Sequence, residues 1–545
     1  MCNLYRYHLF FVIFFVCGVY PQNFYGQSGW EWGANSRSYS YDPDLSEGLW
    51  SIGWSNIVSD KFGNVFLSGV NTGDSARFGP FLVSNPGNVE QLIIVKVDSS
   101  GNYQWVYSNI GYYNYPFCMA ADTAGNLYFL NLRTPDGAPS GAVLLEKLSP
   151  GGRLISQIEM DGASGLGIDD SSNYYICYNG FPTHSVSLNK YNSSGSFIRA
   201  TDFGSASATV GDITKGGGDY TNKVITVTGK GTSYIVGYNN GSTLSFGDSI
   251  IHSADSNFNF LVKISANGDP VWGVCINPNL EIVSLTTDNF ENVYLTGWVY
   301  DTLIFGNDTI GHKNEYHFFV AKYSSSGAFQ WIVADLSKSS ATYGNCISAD
   351  TCGNVWVSGY FQYGYLMQIG SDSITVPSYP TDPMFVVHLD TSGTFLGSSV
   401  FPTGGTNSGV NGITVDNKGN YYLGGQYYRE IVFGNDTLTS LAYGDSINLF
   451  VAKYNYSDGK CAGLSVNPIS ELKDSFVVFP NPASNVLNVS SQTRITSIVI
   501  VNLVGKIVSE KNYNSDKVQI DISFLPPAMY LVRINGTEVR KFVKE

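Results

Sequence analysis

Six histidines, forty-four Asp and Glu residues and eight cysteines are the side chains with which this chain could do acid–base, metal or redox chemistry. Spacing decides whether they do. His8 lies in an apolar N-terminal stretch, which leaves His184, His252, His312, His317 and His388. None forms the His-Glu-x-x-His pair that sets two imidazoles on one helical face for zinc. His312 and His317 lie in a loop-like stretch and read as surface residues, while His388 fills a position held by lysine in related segments and reads as structural. Neither a Gly-x-Ser-x-Gly elbow nor a phosphate loop occurs in its strand–helix setting.

The carboxylates are more orderly. Asp60, Asp122, Asp350 and Asp416 each open an Asp-x-x-Gly-Asn pattern, closed by Gly63-Asn64, Gly125-Asn126, Gly353-Asn354 and Gly419-Asn420. Paired acid–base catalysis needs two carboxyl groups within about 5–10 Å of each other. Residues recurring at one structural position are instead spread around a repeat array. Turn chemistry explains them better: Asp accepts from nearby backbone N–H groups, and Gly or Asn takes the left-handed conformation of a short hairpin. No twelve-residue calcium loop accompanies them. The sequence therefore nominates no catalytic residue, no metal ligand and no cofactor.

Cys2 and Cys17 fall in the leader, leaving Cys118, Cys177, Cys275, Cys346, Cys352 and Cys461. An even count outside the cytoplasm permits disulfides, and Cys346 and Cys352 are the closest pair; free, partly buried thiols are equally compatible. No zinc spacing is present.

The elements that position these residues are strands. The chain is 43% hydrophobic, only 14% charged and 14% aromatic, with 59 Gly, 37 Tyr and 32 Phe. Strands favour aromatics and tight turns need glycine, so this mix predicts an all-β protein. The net charge of −14 argues against nucleic-acid binding, because an acidic surface repels phosphates. Residues 1–26 read as a signal peptide: Arg6 precedes the apolar run Leu9–Tyr20, too short for a comfortable membrane span. No mature segment approaches the length of a membrane helix.

Internal repetition organises the rest. One copy runs from Asp288-Asn-Phe-Glu-Asn292-Val-Tyr-Leu-Thr-Gly297 through Phe319-Val-Ala-Lys322-Tyr323 to Ser326-Gly327-Ala-Phe-Gln-Trp331. Its apolar-Lys-apolar strand recurs at Lys96, Lys147, Lys190, Lys263 and Lys453, with His388 in the sixth copy. Asp169–Asn173 is a degenerate opening, and the fourth copy keeps only Lys230-Gly231. Phe246, Phe305 and Phe433 head a further recurring segment that reads as a strand entry. Each copy supplies two hairpins, hence four strands, and a lone four-stranded sheet cannot bury both faces. Seven copies predict a seven-bladed β-propeller over residues 27–456. The seventh copy ends at Lys453-Tyr454 without its Trp strand, and the orphan Gly29-Trp30-Glu31-Trp32 is predicted to complete that blade. These units resemble the β-propeller repeats of bacterial secreted proteins, often called SBBP repeats.

After a linker at 457–474, residues 475–545 alternate as about seven short strands of a small immunoglobulin-like β-sandwich. Three ordered motifs stand in it. They are Phe479-Pro480-Asn481-Pro482-Ala483, Asn502-Leu503-Val504-Gly505-Lys506, and Tyr530-Leu531 continuing to Lys541-Phe542-Val543. This stretch resembles the type A C-terminal sorting domain of the type IX secretion system of Bacteroidota. The resemblance implies passage through both membranes with the secretion machinery as partner, and a secreted or surface-held product. The leading reading of the propeller is non-enzymatic binding of an extracellular glycan or protein. The alternative is a secreted hydrolase or lyase with its site on one propeller face, which requires a non-repeated cluster of carboxylates, His or Arg near the axis.

Overall fold

The computed structural model describes residues 30–39, 56–85, 90–110, 112–134, 142–179, 186–204, 208–210, 223–305, 308–312, 314–338, 340–364, 366–375, 383–401, 408–416, 419–434, 436–439, 447–455, 476–502, 507–535 and 538–545. The expected signal peptide and linker, with Cys461, and the motif residues Leu503 and Gly505 lie outside the described residues. Every described element is a β-strand, so the protein is all-β. The chain divides into two compact units, Met1–Cys461 and Ala462–Glu545.

In the first unit each sequence copy folds as one antiparallel sheet. The first copy orders Ile57–Ser59, Val65–Asn71, Gln91–Val97 and Tyr103–Ile110 side by side, and copies two, three, five and six repeat that order. The fourth copy adds a short strand, Ala208–Thr209, beside Ser233–Asn239. Burial grades across a sheet. Val65–Asn71 and Gln91–Val97 are buried at every position, whereas Tyr103–Ile110 alternates with exposed residues. Central strands covered on both faces require a neighbouring sheet on each side.

The seventh copy supplies Gly409–Val415, Tyr421–Tyr428 and Ile447–Tyr454, and its fourth strand is Trp30–Tyr39 from the N-terminus. Trp30 pairs with Tyr454, Gly33 with Ala452 and Asn35 with Phe450. Trp30 sits among Phe401, Tyr421, Phe433 and Tyr454, with ring centroids 4.8–5.8 Å away. The first strands of successive copies lie against one another: Ile57–Ser59, Tyr112–Ala121, Ala163–Ile168, Ile225–Val227, Leu280–Thr287, Ala341–Ala349, Gly409–Val415, and back to Ile57–Ser59.

One contact recurs between neighbouring copies. The strand-three lysine crosses an aromatic ring of its own sheet, as Lys96 does over Phe66 and Lys322 over Tyr294. It then donates to a turn carbonyl of the following copy, joined there in copies one, four and five by the indole N–H of strand four, whereas the fourth strands of copies two and six carry no tryptophan. Lys96 and Trp105 meet the Pro150 carbonyl, Lys263 and Trp272 that of Ser325, and Lys322 and Trp331 that of Thr391. Where copy three has Arg199 in place of the tryptophan, its guanidinium donates to the Ala266 carbonyl. The glycine of the gripped turn packs on that indole. At Gly101, φ is +88° and an added Cβ would stand 2.7 Å from Trp32.

The Phe-Gly segments turn out to be hairpin turns rather than strand entries. Thr243–Phe246 pairs with Ser249–His252, and Glu430–Phe433 with Asp436–Thr439, with Phe246 and Phe433 buried beneath.

The second unit differs from the expected seven short strands. Its described residues form five strands in one hydrogen-bonded sheet: Phe476–Phe479, Val486–Asn502, Ile507–Asp521, Ala528–Ile534 and Glu538–Lys544. Two strands are long, and register shifts at Ser490/Ile495 and Ile495/Ser497 let one strand serve different partners along its length. The polar stretch that reads as a break is a bulge. Leu487, Val489, Ile498, Ile500, Ile520, Val532 and Phe542 form its core.

Candidate functional sites

The repeated aspartates sit in one recurring turn. Asp60 Oδ1 accepts from the N–H groups of Phe62 and Asn64 at 2.9 Å each, and Oδ2 accepts from the Asn64 amide at 2.7 Å. Gly63 has φ +79°. Asp122 with Gly125 and Asn126, Asp350 with Gly353 and Asn354, and Asp416 with Gly419 and Asn420 repeat this geometry. The fourth copy, which lacks the aspartate, closes the same turn on Thr228, whose Oγ1 accepts from Thr232 N–H at 3.2 Å. Each turn belongs to a different sheet.

The inner strands carry a second recurring feature that the sequence does not announce. Each of copies two, three, five, six and seven has a register shift in its first strand, at Pro116/Cys118, Ala163/Gly165, Ile282/Ser284, Gly344/Cys346 and Val410/Gly412. A bulge exposes a backbone carbonyl and re-aims a side chain. Neighbouring copies use those carbonyls: Asn56 Nδ2 donates to Phe117 O at 2.9 Å, and Asn345 Nδ2 to Val410 O at 3.3 Å. The Cys346 thiol donates to Asn411 O at 2.9 Å. Lys223 joins this set through its backbone, its N–H donating to Val283 O and its carbonyl accepting from Leu285 N–H.

Two clusters are not repeated. His317, read from sequence as a surface residue, is fully buried in the fifth copy. Its Nδ1 lies 3.7 Å from Asp335 Oδ2 and its Nε2 3.5 Å from Glu315 Oε2. His317 pairs with Val299 and its ring meets that of His312 at 5.4 Å, which residue spacing alone could not reveal. Burial pushes the Asp335 carboxyl up, but the nearby His317 ring and hydrogen bonds from Gln368 and Ser337 outweigh that and hold it below its ordinary value. Five rings form the other cluster: Trp298, Tyr300, Tyr316, Tyr343 and Tyr360. Tyr343 stacks between Tyr316 and Tyr360 at 5.3 and 5.0 Å, and Trp298 meets it edge-on at 5.2 Å. Tyr300 is 46% exposed, so the cluster reaches solvent. His388 takes the lysine's place and stacks flat on Trp356 at 4.1 Å.

The structure divides the cysteines between the two readings. Cys118, Cys177, Cys275 and Cys346 are free, while Cys352 is disulfide-bonded. Cys346 therefore does not pair with Cys352; it is committed to the bulge carbonyl of Asn411. Among the described residues no cluster of three or more His, Cys, Asp or Glu could hold a metal ion.

In the second unit the first and last sequence motifs meet. Asn481 Oδ1 accepts from Val543 N–H at 2.9 Å, and its Nδ2 donates to Lys541 O at 3.3 Å. Ala483, fully buried, donates its N–H to Val543 O and accepts from Glu545 N–H. Pro480 and Pro482 hold the loop between these contacts. Tyr530 pairs with Asn502 on one side and Phe542 on the other, stacks on Phe542 at 5.7 Å and donates to Pro526 O at 3.0 Å. Leu531 pairs with Lys541.

A family model described as a secretion system C-terminal sorting domain matches residues 477–545. The chain is exported. The sorting domain takes it through the outer membrane to the cell surface or medium and implies interaction with the type IX machinery. No curated protein matches the chain. Similar solved structures include PorZ, an essential surface component of the type IX secretion system of Porphyromonas gingivalis, at 10% identity and TM-score 0.31, covering 90% of this chain and 74% of that one. A protein of unknown function from Dyadobacter fermentans shows 11% identity and TM-score 0.38, covering 77% and 98%. Polysaccharide lyase Uly1 shows 9% and 0.37, covering 77% and 92%. Likeness at this level carries no argument about activity. No described helix is long and apolar enough to cross a membrane.

Proposed function

We propose that the exported chain is a seven-bladed β-propeller, built from SBBP-like repeats behind a cleaved signal peptide, that binds an extracellular glycan and does no catalysis. The propeller reading is supported by the cyclic contact order of the first strands and by the N-terminal strand completing the seventh sheet. The binding reading rests on the solvent-reaching aromatic cluster around Tyr343, since aromatic rings cover apolar sugar faces. The hydrolase or lyase alternative would need accessible acid–base groups. Of the non-repeated His317, Glu315 and Asp335, His317 and Asp335 have no side-chain exposure, and Glu315 is only partly exposed. The sorting role is carried by one observation, the docking of Asn481 and Ala483 onto the terminal strand. Tagged protein in a type IX-competent host should reach the surface or medium, and a truncation lacking 476–545 should stall in the periplasm. Equal export of both would end the sorting role, and a full-length chain that binds no extracellular glycan would end the binding role.

A further inference from the structure

Tyr343 is the buried hub of the aromatic cluster that copies five and six build together. Tyr316 and Tyr360 stack on it at 5.3 and 5.0 Å, and the Trp298 ring stands edge-on at 5.2 Å. Tyr300 carries the cluster outward, its ring 4.7 Å from Tyr316 and 46% exposed. Trp298 and Tyr300 end the second strand of copy five, and Tyr316 opens its third. Tyr343 lies near the start of the first strand of copy six, and Tyr360 near the end of its second. All five rings therefore gather at the sheet ends opposite the Asp288 and Asp350 turns.

The polar groups beside the rings are uncommitted. Glu281 is the cross-strand partner of Trp298, and opposed residues of an antiparallel pair project from one face. Its carboxylate is exposed and has no hydrogen bond or ion pair among the described residues. Gln362 accepts from the Tyr343 hydroxyl at 2.8 Å through Oε1, which leaves its Nε2 donors free among the described residues. Among the described residues no lysine or arginine lies over any of the five rings. Aromatic rings cover apolar sugar faces and attract cations. A neutral sugar gains nothing from Glu281, an anionic one is repelled by it, and the net charge of −14 draws cations towards the protein.

We propose that Trp298, Tyr300, Glu281 and Gln362 form a site for a glycan that carries protonated amino sugars. A sugar ring lies against Trp298 and Tyr300, its ammonium meets the Glu281 carboxylate, and its hydroxyls accept from Gln362 Nε2. The assignment deepens the glycan-binding reading and rests on it. The exposure of Glu281 makes the charge preference sensitive to salt, because an exposed ion pair is screened.

The test is titration calorimetry of the mature chain at about pH 6, where a primary amine holds its proton. The probes are β-1,4-linked tetramers of glucosamine, N-acetylglucosamine and glucose, which differ only in the substituent at C2. The glucosamine tetramer should bind about fivefold more tightly than either neutral one, and high salt should shrink that margin. Glu281→Gln, an exposed and nearly isosteric change, should abolish the preference and leave the affinity for the neutral tetramers unchanged. Trp298→Ala should weaken all three, and unchanged affinities there overturn the site. Equal binding of the three tetramers overturns the amino-sugar assignment and leaves the glycan reading standing. A preference that survives Glu281→Gln overturns the site. So does tetralysine binding as tightly as the glucosamine tetramer, which would mark a cationic peptide as the partner. Binding of none of the three also overturns the site, and the glycan reading then stands or falls on other saccharides.

Discussion

Trp32 donates its indole N–H to the carbonyl of Ser99 at 3.2 Å. The same carbonyl accepts from Lys453 at 3.2 Å, so strands from the two ends of the first unit grip one turn of its first copy. Every other indole–lysine grip joins residues made consecutively along the chain. This one joins the beginning to the end. Trp32→Ala removes a half-buried ring packed on Tyr422 and on the Gly101 turn and should cost about 2–3 kcal/mol. Urea unfolding should show it, and Trp105→Ala should behave alike.

Asn481→Ala should release the terminal strand from the proline-rich loop. Two hydrogen bonds are lost, at about 1 kcal/mol each. Hydrogen exchange at Val543 should quicken, and secreted protein should fall with accumulation in the periplasm. Asn535→Ala, in a different loop of the same unit, serves as the control for stability without the motif.

Asp288→Ala should destabilise the fifth sheet more than a surface change. Asp288 accepts from Phe290, Asn292 and the Tyr294 hydroxyl at 2.8–2.9 Å, and its loss leaves the buried Tyr294 hydroxyl one partner poorer. About 2–3 kcal/mol is expected from thermal or urea unfolding. Asp288→Asn should retain part of it.

Glu146 gives a pH signature. It is fully buried in strand three of the second copy, where burial raises its pKa despite a hydrogen bond from Asn131 and the charge of Arg133. A folded-state pKa above the unfolded value means the native state holds the proton more tightly. The associated stability is present in acid and is lost as pH rises from the unfolded carboxyl range through the raised folded value. Glu146→Gln should flatten that dependence and add about 1–3 kcal/mol at neutral pH. Unfolding free energies of both proteins at pH 4 and pH 7.5 check it.

Thiol labelling separates the cysteines. Denatured, unreduced protein should label at Cys118, Cys177, Cys275 and Cys346 and not at Cys352. Label on Cys352 without reductant contradicts the structure.

Local pattern carried a good deal of this protein. The Asp-x-x-Gly-Asn turns, the apolar-Lys-apolar strands and the missing last strand of the seventh copy are short-range signals, because hairpin turns and strand alternation depend on neighbours in the chain. The sorting motifs were legible for the same reason, each being a contiguous run. What lies between copies was not. The shared Ser99 carbonyl, the first-strand bulges, the burial of His317 against Asp335 and the commitment of Cys346 to Asn411 all depend on which sheet faces which. The long bulged strands of the second unit read as broken pieces, since a bulge and a turn leave similar polar residues in the sequence. Lys223 shows the limit most clearly: nothing near it in the chain marks it, and only the tertiary structure bonds its backbone to Val283 and Leu285 of the following copy.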